Sequence, residues 1–219
     1  MTTLFREAWR GLARALGRQA PVESERRWVV VDVETTGLDP ERDALLSVGA
    51  VALQPDGIDL TDSFEAFVRP PVASARDNIL IHRIGAQAQV AGEPPEIVCD
   101  RFLRFVGESP LVGFHASFDR DFLSRAMMRA RLTPPAEWLD LAELAPAVHP
   151  GTSAHALDDW LEVAHLAAMT RHSAASDALV TAMLFQWLLA RVRRQDRTVG
   201  RLRKLARGAR WVAASGRPR

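Results

Sequence analysis

The chain has 219 residues, 47% hydrophobic and 25% charged, the proportions of a soluble globular domain and not of a disordered, collagenous or fibrous chain. Its single cysteine, Cys99, excludes an internal disulfide and a multi-thiolate zinc site and suits a reducing, cytoplasmic setting, and the absence of tyrosine excludes any mechanism that needs a phenol. The net charge of +1 hides an asymmetry, with +3 over residues 1–27, −12 over 28–190 and +10 over 191–219, which fits a core that holds cations between arms that seek anions.

No run approaches the roughly 18 to 20 apolar residues that cross a bilayer, so no transmembrane segment is expected. At the start, Phe5, Trp9, Leu12 and Leu16 fall on one helical face with arginines elsewhere. This pattern suits a helix docked on the body by its apolar stripe, and an Arg-rich transit peptide is the alternative. The β-branched run Trp28–Thr35 predicts a central strand, closed by Thr36-Gly37-Leu38-Asp39-Pro40. Side chains alternate along a strand, so Asp32 and Glu34 share a face, about 7 Å apart along the chain. Leu45 to Leu53 predicts a second strand, Gln54-Pro55-Asp56-Gly57 a hairpin turn, and Ile58 to Val68 a third strand.

Pro94-Pro95 opens an amphipathic helix with Val98, Phe102, Phe105 and Val106 inward, stopped by Gly107. Leu111 to Phe114 reads as a short buried strand, and helical periodicity follows Asp119 through Phe122, Leu123, Ala126 and Met127. Trp138 to Leu144 fits either a strand or a helix; Ala156 to His165 and Ser173 to Arg194 fit helices. Early strands followed by interleaved helices give an α/β fold with a mixed sheet.

Asp32 and Glu34 on one face of a buried strand repel each other and lose hydration, which a cation would offset. Carboxylates are hard oxygen ligands suited to Mg²⁺ or Mn²⁺. Asp119, which begins a helix immediately after a strand, and Asp177, early in the last long helix, could converge on that pair. Taken singly, strand acids at spacing two also suit a solvated edge, and acids at helix starts suit the macrodipole. Their joint order, with His172 five residues before Asp177, favours a site.

Val31-Asp32-Val33-Glu34-Thr35-Thr36-Gly37-Leu38 resembles the first motif of the DEDDh 3′–5′ exonucleases, the superfamily of the DNA polymerase III epsilon subunit, RNase T and oligoribonuclease. Phe114-His115-Ala116-Ser117-Phe118-Asp119 resembles the second, and Arg171-His172-Ser173-Ala174-Ala175-Ser176-Asp177-Ala178 the third. The resemblance covers about residues 28–190 and implies an RNase H-like fold, a mixed five-stranded sheet flanked by helices, between an Arg-rich extension (1–27) and a basic C-terminal tail (191–219).

It also implies two divalent cations, Mg²⁺ or Mn²⁺, with Asp32 bridging both, Glu34 and Asp177 completing one site, Asp119 supporting the other through water, and His172 as general base. Substrate contacts implied by resemblance are Thr36 and Leu38 in the turn and His82 in Ile81-His82-Arg83-Ile84. In the second motif, Phe114-His115 stands where the superfamily commonly has His-Asn, which alters the polar contacts expected there. Phe114 suits core or a stacking surface for single strands, and Phe118 suits core beside the substrate. His115 fits equally a buried histidine and a substrate contact, whereas His149, His155 and His165 read as structural.

The implied function is 3′–5′ hydrolysis of single-stranded nucleic acid, with DNA favoured. The alternatives are RNA trimming in the manner of oligoribonuclease or RNase T, and a non-catalytic adaptor for nucleic acid or protein. The partners this admits are nucleic-acid 3′ ends, a DNA polymerase subunit, since 219 residues hold no polymerase domain, and a second copy of the chain as a homodimer.

Overall fold

The computed structural model describes residues 26–71, 90–166 and 173–215, with side chains through residue 208. The N-terminal amphipathic stretch, the segment bearing His82, and His172 lie outside the described residues.

Five strands form one mixed sheet in the order β3-β2-β1-β4-β5: β1 Trp28–Thr35, β2 Leu45–Gln54, β3 Gly57–Phe67, β4 Leu111–Gly113 and β5 Trp138–Asp140. The first three make an antiparallel meander, and β4 and β5 run parallel to β1. The β-branched stretch of β1 is buried on both faces, as a central strand requires, so its two acids are not on a solvated edge.

Alternation along β1 divides the core. Val29, Val31 and Val33 pack towards helices α1 (Pro95–Val106) and α2 (Ser117–Arg129). Trp28 and Val30 pack towards α3 (Leu141–Val148), α4 (Leu157–Val163), α5 (Ala174–Leu189) and α6 (Val199–Ser215). Phe185 of α5 meets Trp28 edge-on at 5.2 Å between ring centres. Each such fully buried side chain contributes about 1.5–3 kcal/mol relative to exposure, so the two layers fix how the helices approach the sheet.

Several local readings change. The stretch that fitted either strand or helix is both: β5 ends at Asp140, whose carboxylate caps α3 by accepting from the Ala142 N–H at 2.9 Å. The last long helix ends at Leu189 instead of Arg194, and a short 3₁₀ turn covers Arg194–Asp196. Phe105 is only partly buried, under the Arg27 guanidinium 4.7 Å from its ring centre. The basic C-terminal segment contains α6, whose Val199, Leu202 and Ala206 are buried. Arg203 Nε donates to the Trp138 carbonyl at 2.8 Å, covering part of the outer edge of β5.

Candidate active site

Asp32 and Glu34 lie near the C-terminal end of β1, on the face covered by α5. Asp177 sits in the first turn of α5, after Ser173, whose hydroxyl accepts from the Ser176 N–H at 3.3 Å. One carboxylate oxygen from each of Asp32, Glu34 and Asp177 lies within 4.8 Å of the others. Asp32 is half-buried, and Glu34 and Asp177 are 6% and 7% exposed. Three carboxylates so placed repel one another with little water to screen them. Their oxygens form a hard anionic cluster that fits Mg²⁺ or Mn²⁺. The site is located by this convergence and not by cavity size, since a cavity of about 1290 Å³ between α3 and α6 is lined by none of these acids.

What brings Asp177 there is a glycine. Gly49 of β2 pairs directly with Asp32, so a side chain at Gly49 would share the face of Asp32. A Cβ at Gly49 would lie 2.2 Å from the Ala174 carbonyl carbon and 2.2 Å from the Ala175 nitrogen. Only a residue without a side chain lets the first turn of α5 descend onto the sheet. Gly49→Ala is therefore expected to lower stability by about 1–3 kcal/mol through overpacking and to shift Asp177 out of register with Asp32. Urea unfolding with a parallel Mn²⁺ titration checks this, and unchanged stability would mean that α5 does not need the glycine.

Asp119 reaches the same end of the sheet from α2, on the opposite face. Its Oδ1 accepts from the Val33 N–H at 3.1 Å, and a Cβ at Gly113 would lie 3.1 Å from its Oδ2. Burial pushes its carboxyl up to about 8 from an ordinary 3.8, the charges of Asp140 and Glu34 push the same way, and the Val33 N–H opposes them. Folding of the metal-free chain therefore takes up a proton at Asp119. Its stability contribution is complete below about pH 4 and is lost as pH rises through 8. Thermal unfolding in chelator should show stability falling over that window, with a flatter profile for Asp119→Asn. Equal slopes would place the titration elsewhere.

The other candidates are placed as follows. Thr36 lies in the turn after β1, where its hydroxyl accepts from the Ala44 N–H at 2.9 Å and bonds the Asp43 carboxylate at 3.2 Å. Leu38, at the tip of that turn, is 85% exposed. Phe114 is partly buried against the α5-side core with its ring 4.8 Å from that of His115, and Phe118 packs on Phe122 at 4.8 Å. His115 is exposed, which corrects the buried alternative, and has a φ of 57°. A non-glycine residue in the left-handed region is uncommon, and Asn and His are among those that tolerate it. The turn geometry is thus one that a histidine tolerates at this position. His149 stacks edge-on against Trp187 at 5.2 Å, and His155 and His165 are exposed.

Sequence reasoning missed three supports. Gly49 could have been suspected as a glycine inside a buried strand, a mark of close backbone approach. Asp140 accepts from the His115 N–H at 3.0 Å as well as capping α3, so it ties the turn before Asp119 to β5. Asp43 accepts from the Asp39 N–H at 2.9 Å and holds the turn after β1.

The RNase_T family model, described as "Exonuclease", matches residues 29–185, a span that contains all four acids. The chain belongs to this exonuclease family. It is 30% identical over 176 residues to a PolC-type DNA polymerase III of Caldanaerobacter subterraneus subsp. tengcongensis, covering 80% of this chain and 12% of that protein. It is 28% identical over 186 residues to the 3′-5′ exonuclease DinG of Bacillus subtilis, covering 84% of this chain and 20% of that one. This exonuclease domain thus spans a fifth or less of the length of these curated relatives. Among solved structures it resembles Exonuclease X in complex with 5′ overhanging duplex DNA, with a TM-score of 0.66, 22% identity, and coverage of 82% of this chain and 99% of that one. The RNase H-like expectation of a mixed five-stranded sheet flanked by helices is met. No helix among the described residues is long and apolar enough to cross a membrane.

Proposed function

We propose that this exonuclease-family domain hydrolyses single-stranded DNA from its 3′ end. The observation that carries the reading is the convergence of Asp32, Glu34 and Asp177 within 4.8 Å at the end of a central strand. Asp32, Glu34 and Asp177 would hold the divalent cations, and Asp119, clamped by the Val33 N–H, would support them from α2. Such ions, when bound, neutralise phosphate charge and lower the pKa of the attacking water. His172 would accept a proton from the water that attacks phosphorus in line with the departing 3′ oxygen. The turn carrying Thr36 and exposed Leu38 receives the terminal nucleotide, together with His82 and the Phe114 and Phe118 rings.

DNA is preferred because the curated relatives are named as a DNA polymerase III and as a 3′-5′ exonuclease, and the first of these names supports a polymerase partner. The test is incubation of the full chain with 5′-labelled DNA and RNA strands in Mg²⁺ or Mn²⁺. A ladder shortened from the 3′ end, faster on DNA and abolished by chelator, supports the reading. Faster loss from RNA would transfer the activity to RNA trimming, and intact strands with retained binding would make the domain an adaptor.

A further inference from the structure

Next to the turn that leads into Asp119 lies a groove lined by none of the four acids. It has a volume of about 390 Å³ and lies between α6 and the turn joining β4 to α2, and Ala116 and Ser117, just before Asp119, form part of its wall. Three arginines line it: Arg120 from α2, and Arg203 and Arg207 from α6. Two acids also line it, Asp140 and Glu143, and Asp140 directs one oxygen to the His115 and Ala142 N–H groups.

The helix periodicity of α6 explains this placement. Val199, Leu202 and Ala206 face the core, so Arg203 and Arg207, four residues apart, emerge together on the flank beside the β4–α2 turn. Arg201 and Lys204 emerge on the other flank, in the large cavity against α3. Arg203 is held by its bond to the Trp138 carbonyl, so its guanidinium is fixed in the groove wall before any ligand arrives. Arg120 is exposed and bonds neighbouring Asp121.

We propose that this groove binds the phosphodiester backbone of the single strand whose 3′ end lies in the acid cluster. Its ligand is a nucleic-acid phosphate upstream of the scissile bond. Guanidiniums pair with phosphate oxygens in fork geometry, and they offset the repulsion that the acidic site exerts on the rest of the strand. The inference rests on the hydrolytic reading for the position of the 3′ end, but its binding test does not.

The test is the salt dependence of affinity of the full chain for a phosphorothioate DNA strand of about twelve nucleotides, a length within the usual range of single-strand sites. Arg120→Ala and Arg207→Ala should each weaken binding several-fold and make the slope of log affinity against log salt shallower by about 0.7, one phosphate contact each. Arg201→Ala and Lys204→Ala, on the other flank of the same helix, should leave both unchanged. Arg203 is kept intact because its loss would also uncover the β5 edge. Equal losses from both flanks would reduce α6 to a diffuse positive charge, and unchanged slopes for Arg120→Ala and Arg207→Ala would overturn the groove. If the slope changes as expected while the wild type releases no nucleotide in Mg²⁺ or Mn²⁺, the groove stands and the hydrolytic reading falls.

Discussion

Asp32→Ala is expected to abolish metal-dependent nucleotide release, and Asp177→Ala to do the same. Each removes one of three oxygens that meet within 4.8 Å, and the remaining pair is too sparse to fix a cation against phosphate. The loss should exceed the about 10²–10³-fold that removal of a single electrostatic group costs an active site. Stability should move the other way. The metal-free variants lose one of several like charges packed at the end of β1, so they should unfold at the same temperature as the wild type or above it in chelator. An inactive but well-folded variant separates chemistry from folding. Full activity in purified Asp32→Ala would remove the basis for the proposed cation site.

His172→Ala should lower turnover by about 10²–10⁴-fold, the usual contribution of a general base, while leaving cation binding largely intact. His172 directly precedes Ser173, the cap of α5, and Asp177 follows one turn later. The wild-type rate should rise with pH through about 6.5, where an ordinary histidine becomes neutral and able to accept a proton. The variant should lack that limb. A near-normal variant rate with no change in pH profile would assign the base to another group.

The sequence was most informative where local pattern and tertiary role coincide. The β-branched run at Trp28–Thr35 requires burial on both faces, and it occupies the centre of the sheet with its acids on the face that α5 covers. The convergence of Asp177 on those acids depends on Gly49, a residue with no side chain, and only the packed structure shows what its absence admits. Asp119 comes from the opposite layer, and its raised proton affinity arises from burial that no spacing encodes. The C-terminal segment was harder to read because its arginine content suggested a basic tail that seeks anions. Its apolar residues Val199, Leu202 and Ala206 nevertheless follow helical spacing, and they anchor α6. The strand β5 has three residues, too few for alternation to separate it from the helix that follows, whereas the apolar run at Leu111 to Phe114 was enough to mark β4.

Asp32, Glu34 and Asp177 are proposed to form a cation site that drives 3′ hydrolysis. The most direct measurement is calorimetric titration of Mn²⁺ into the full chain, compared with Asp32→Asn and set beside nucleotide release at each Mn²⁺ concentration. Saturable binding that Asp32→Asn removes, with nucleotide release rising in proportion to occupancy, is the predicted result. Release that proceeds in chelator, or Mn²⁺ binding that survives Asp32→Asn undiminished, would contradict it.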